Sequence, residues 1–170
     1  GLPVDAEGSS LEIRRNDRMV TLEGPAVVKQ GGRELTAGSI AIELDPEFHA
    51  RTITAAGHPQ ITSDGKTKLT ASAEEFQVLL SPEGWVDKIL AIRGVAGMRV
   101  SPEGTDHFAA DQVEFQMHPR QGWIEQMTAN GSVTLDSQVA SASRNLKTSA
   151  LRVMFAPPAT NHAGGDLAGQ

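Results

Sequence analysis

The chain has 170 residues, with 15 Lys and Arg against 21 Asp and Glu, a formal net charge of −6. No basic block is present to track a phosphate backbone, which argues against nucleic acid as a partner. Cysteine is absent, which excludes disulfide staples, Cys-ligated metals and thiol catalysis. The apolar runs are short, Ile89-Leu90-Ala91-Ile92 being typical, so no helix encoded here is apolar enough to span a bilayer. Seventeen glycines and nine prolines punctuate the chain too often for long helices and predict short strands joined by turns.

Residues 1–10 read as a lead-in. Gly1 stands where an initiator Met would, so a removed signal or anchor segment is expected upstream. Leu11 and Ile13 then alternate like the end of an incomplete repeat. From there four copies follow, marked by Gly24, Gly57, Gly94 and Gly131 at spacings of 33, 37 and 37. The first has Val20 and Leu22 before its glycine and Ala26 and Val28 after it. The second has Ile53, Ala55, Pro59 and Ile61, the third Leu90, Ile92, Ala96 and Met98, the fourth Met127, Ala129, Val133 and Leu135. Period-two spacing puts each set on one face of an extended strand. A glycine in mid-strand predicts a bulge or corner.

Each copy then turns back through a second strand. Anchored on Ala37, Ala71, Ala110 and Thr148, these strands carry Ile42, Phe76, Phe115 and Val153 five residues on, and Leu44, Val78, Met117 and Phe155 seven residues on. Three residues after the anchor stand Ile40, Glu74, Val113 and Leu151, with Glu74 the exception. The parity change within each strand predicts a second bulge or corner. Turn sequences such as Gln30-Gly31-Gly32-Arg33, Ser81-Pro82-Glu83-Gly84 and His118-Pro119-Arg120-Gln121-Gly122 separate the strands. The aromatics Phe48, Trp85 and Trp123 open the returning strands. Residues 66–80 also fit a helical stripe (Leu69, Ala73, Phe76, Leu80), but the register shared with 35–44 and 108–117 favours strand. Residues 159–170 are small, polar and Gly-rich and are expected to be a disordered tail.

These copies, about 34 to 39 residues each, cannot hide their own apolar faces and must stack to bury one interior. The fold expected is all-β: an open, twisted stack of antiparallel strands built from about four tandem repeats, in one domain over 11–158. Such a stack has two ends, each with an unpaired strand edge.

Val20-Thr21-Leu22-Glu23-Gly24 through Glu34-Leu35-Thr36-Ala37 recurs as Ile53-Thr54-Ala55-Ala56-Gly57 through Leu69-Thr70-Ala71, as Met127-Thr128-Ala129-Asn130-Gly131, and in Phe108-Ala109-Ala110-Asp111. In these residues the chain resembles the OstA-domain family of lipopolysaccharide transport proteins, LptA-like and LptC-like. The resemblance covers nearly everything from Leu11 to Phe155, with Thr148-Ser149 departing from the family's Ala-Asp in the fourth copy. It implies an incompletely closed β-jellyroll whose apolar interior holds lipopolysaccharide acyl chains. It also implies a periplasmic location, with or without an inner-membrane anchor, and strand-edge pairing with other transport proteins or with itself. It implies no enzymatic activity and no cofactor.

The interior positions expected to meet lipid are Ile42, Leu44, Phe76, Val78, Met98, Phe115, Met117, Val153 and Phe155. On the residues alone, alternation reports burial and not a ligand, and favours an ordinary dry core, which would make the chain a structural or protein-binding repeat. Arg33, Lys66, Lys68, Lys88, Arg93 and Arg99 are available for a lipid headgroup, and none stands out from ordinary surface charge. No Gly-x-Ser-x-Gly elbow, phosphate loop or His-Glu-x-x-His occurs, and the five histidines lack metal-ligand spacing. Asn130-Gly131-Ser132 matches a glycosylation sequon and reads as part of the repeat corner.

Overall fold

The computed structural model describes residues 4–121 and 123–157. The expected disordered tail, 159–170, lies outside them. Twelve antiparallel strands form one continuous sheet: β1 (Val4–Glu7), β2 (Ser10–Arg14), β3 (Met19–Gln30), β4 (Arg33–Leu44), β5 (Ala50–Ala56), β6 (Gln60–Ser63), β7 (Lys68–Ser72), β8 (Glu75–Leu80), β9 (Val86–Ser101), β10 (Gly104–Met117), β11 (Ile124–Val139) and β12 (Ala142–Met154). The four repeats are visible as β3–β4, β5–β8, β9–β10 and β11–β12. The 66–80 segment is extended, forming β7 and β8, so the shared register prevails over the helical stripe. Inside the lead-in, β1 pairs with one half of β3; β2, which follows it, pairs with the other half.

Each long strand bends near its middle, dividing the sheet into two arms that fold face to face. The ladder breaks at the corner in every copy: between Glu23 and Ala26, between Ala110 and Gln112, and between Asn130 and Val133. In the second copy the corner is sharp enough to split both strands. Pro59 has no amide hydrogen to offer the ladder there, and Gly57 and His58 both take positive φ, 76° and 56°. Positive φ recurs in consecutive residues at Arg93-Gly94 and Gly131-Ser132. The first corner is tight for a different reason. A Cβ on Gly24 would lie 2.1 Å from the carbonyl oxygen of Gly38, and Gly38 in turn packs on Gly57.

The structure corrects the repeat alignment in the second copy. Ala73, not Ala71, occupies the place of Ala37 and Ala110. Glu75 and Gln112 both pair with Ile92, which fixes this register. With that shift Phe76, Val78 and Leu80 all point inward and are buried, and the exception vanishes. Glu74 sits at the exposed corner, where its carboxylate accepts a 2.7 Å hydrogen bond from Arg93 Nε.

The two arms enclose a single apolar core. It includes Leu22, Ile40, Phe76, Ala91, Val95, Val113 and Val133, and no polar or charged side chain is buried among the described residues. Phe108 and Phe115, on opposite arms of β10, meet edge to face with ring centroids 6.3 Å apart. Residues of one strand thus touch across the interior, as a folded-over sheet requires.

Candidate functional site

The candidate site is the interior between the arms, because alternation delivers one apolar face of the long strands there. Phe76 and Val78 on β8, and Phe115 and Met117 on β10, are buried; Phe76 is 0% exposed. These four form the sealed middle of the roll. Ile42 and Leu44 on β4, Val153 on β12 and Phe155 just beyond it are half-buried. The interior is therefore tight at its centre and less covered where the first and last copies expose their inner faces.

Met98 is a correction. It is 37% exposed and faces outward, beside Thr70 and His107 on the neighbouring strands. In the third copy the two positive-φ residues are Arg93 and Gly94, with glycine second, whereas Gly57-His58 and Gly131-Ser132 have glycine first. The frame after the corner consequently moves by one. Val95 and Gly97 turn inward and Met98 outward, and a Cβ on Gly97 would strike the Phe108 ring at 2.1 Å. Of the other methionines, Met117 and Met127 are buried and Met154 is exposed.

The turns at the free ends of the arms form two rims that flank the mouth of the roll. On one rim lie the turns around 31, 64 and 102; on the other lie those around 46, 83 and 120. The latter close alike, Asp45, Ser81 and His118 donating their amides to the carbonyls of His49, Trp85 and Trp123 at 2.8–2.9 Å. His118 is half-buried and stacked on Trp123, with ring centroids 4.7 Å apart.

Two cations that the sequence left undistinguished look across this mouth. The Arg99 guanidinium lies 5.7 Å from the Phe155 ring centroid and pairs with Asp106 at 2.9 Å. Arg33 is half-buried in a 320 Å³ crevice lined by Gln30, Gly31, Gly32, Ser63 and Asp64 of one rim and Trp85, Val86 and Gln121 of the other. Burial there pushes the Arg33 pKa down from its ordinary value. Lys88 and Arg93 have other partners, Glu114 at 2.8 Å and Glu74. Alternation carried the signal for Arg33, which stands two residues before inward-facing Leu35. Arg99 was hidden by the same frame shift that misplaced Met98. Among the described residues no cluster of three or more His, Asp or Glu is arranged to hold a metal ion.

No protein-family model matches the sequence, and no curated protein matches it. Among solved structures the chain is similar to LptH of Pseudomonas aeruginosa, described as the LptA-homologous periplasmic component of the conserved lipopolysaccharide transport device. The TM-score is 0.61 over 77% of this chain and 84% of that one, at 14% sequence identity. The chain has the LptA-like β-jellyroll fold.

Among the described residues the LptA-like roll leaves both of its ends unpaired. β1 and β2 pair only with β3 among the described residues, and β12 pairs only with β11. The terminal strands carry exposed apolar side chains: Leu11 at 58% and Ile13 at 60% on β2, Leu146 and Met154 on β12. Such edges offer a row of free backbone donors and acceptors to an incoming strand.

Proposed function

We propose that this protein is a periplasmic module of lipopolysaccharide export. It holds acyl chains between its two arms and joins other transport proteins, or further copies of itself, through the edges at β1, β2 and β12. The observation that carries this reading is the interior: its buried core is apolar, with no buried polar side chain among the described residues. A hydrocarbon chain entering it would exchange water for apolar contact at about 25 cal/mol per Å². The likeness to LptH supports the same reading. The half-buried positions at Val153 and Phe155 supply an entrance, and the sealed centre parts only when a chain displaces its side-chain contacts.

Val153→Asp tests it. A carboxylate at the entrance would have to be desolvated for a chain to pass, while the sealed middle is untouched. Binding of purified lipopolysaccharide, followed by titration calorimetry, is expected to weaken by about tenfold or more, with the thermal midpoint falling by only a few degrees. Unchanged affinity would remove Val153 from the lipid path. A second reading has its own support in the sealing of Phe76, Val78, Phe115 and Met117: a protein-binding repeat with a dry core. It predicts no lipopolysaccharide binding by the unmodified protein at all.

A further inference from the structure

We propose that the Arg33 crevice binds the phosphate monoester head of an amphiphile whose hydrocarbon chain lies between the arms. This rests on the reading of the interior as a lipid site and adds to it a headgroup site. Arg33 opens β4, and the parity of that strand turns its side chain toward the interior, two residues ahead of buried Leu35. Its guanidinium makes no hydrogen bond or ion pair with a described side chain, although it is half-buried. A cation withdrawn from water without a partner is costly, and an anion at the same place would offset that cost. The guanidinium fork matches two phosphate oxygens, and the hydrogen bonds it makes to them are charge-assisted.

The surroundings fit an amphiphile better than a free ion. The crevice spans the mouth, with Trp85 and buried Val86 on one side and the Gly31-Gly32 turn on the other. An indole and a valine line the same crevice as the cation, so a ligand there needs a charged head next to a greasy stem. The one carboxylate in the lining, Asp64, is exposed and stands beyond ion-pairing distance of Arg33; its amide donates to the Gly32 carbonyl at 2.9 Å. The other charges at this turn, Lys29 and Glu34, pair with each other at 3.7 Å. The competing account is that the Arg33 stem simply covers apolar surface while its head reaches water.

Trp85 makes a reporter. The chain has two Trp, so in a Trp123→Phe background Trp85 is the single indole. The full chain is titrated with decyl phosphate, with decyl maltoside, and with inorganic phosphate, the detergents kept below their micelle concentrations. Decyl phosphate is expected to shift Trp85 emission and to bind roughly tenfold or more tighter than decyl maltoside. Arg33→Gln is expected to erase that difference while leaving decyl maltoside binding and the thermal midpoint unchanged, and Arg33→Lys to restore part of it. If Arg33→Gln binds both detergents as the unmodified protein does, the headgroup site is overturned and the lipid interior stands. If neither detergent binds the unmodified protein, the lipid interior falls and the headgroup site with it. Inorganic phosphate binding as tightly as decyl phosphate would also overturn the proposal, since the chain would contribute nothing.

Discussion

Gly24→Ala is expected to destabilise the protein strongly. The new Cβ would lie 2.1 Å from the Gly38 carbonyl oxygen, 2.7 Å from its carbon and 2.9 Å from its Cα. All three are backbone atoms of β4, so no side chain can rotate away. Relief requires β3 and β4 to separate at the corner, where Gly38 also donates a 3.0 Å hydrogen bond to the Gly57 carbonyl. Three strands are thus tied together through three glycines. Overpacking of this kind costs at least about 3 kcal/mol, against a typical total stability of about 5–15 kcal/mol. Gly32→Ala is the control: its Cβ meets only the Asp64 carbonyl oxygen, at 3.2 Å, and the loss should stay under about 1 kcal/mol. Urea unfolding followed by circular dichroism separates the two. Equal midpoints for both variants would show that the corner glycines are not held by close backbone approach.

Phe76→Ala is the second large effect. Phe76 is 0% exposed and faces the opposite arm from the sealed middle of the roll. Removing its ring deletes the largest fully buried side chain and leaves a cavity walled by rigid strands, which should cost about 3–5 kcal/mol. Phe48 makes the comparison sharp. It belongs to the aromatics that open returning strands, yet it is 57% exposed in a turn, and Phe48→Ala should change stability by no more than about 0.5 kcal/mol. Denaturant midpoints give both values. A reversal of the two would mean that the inner and outer faces are exchanged.

Much of this architecture was legible because extended strands have a strict period of two. Val20, Leu22, Ala26 and Val28 alternate across Gly24, and the break in their ladder falls where the glycine predicted it. The strand pairing of the four copies follows from the same pattern. What alternation lacks is an absolute frame when a corner takes a variable number of residues. Ala71 and Ala73 both satisfy the pattern locally, and only cross-strand pairing of Glu75 with Ile92 chooses between them. The sequence therefore presented Glu74 as a break in the apolar pattern, when it is an exposed corner residue paired with Arg93. The same ambiguity placed Met98 inside: Arg93 takes a left-handed conformation (φ 62°) that is unusual for a side-chain-bearing residue, and the glycine count cannot register it. The rim was harder still. Arg33 and Trp85 are far apart in sequence and meet only because the two arms fold over each other.

The most direct measurement is photo-crosslinking with a benzophenone amino acid at Phe115, on the buried face of β10, and at Glu114, its neighbour on the outer face, each in the full chain mixed with lipopolysaccharide. If hydrocarbon chains occupy the space between the arms, the Phe115 position crosslinks to lipopolysaccharide and the Glu114 position does not. Crosslinks from Glu114 with none from Phe115 would place the lipid on the outside and contradict the account.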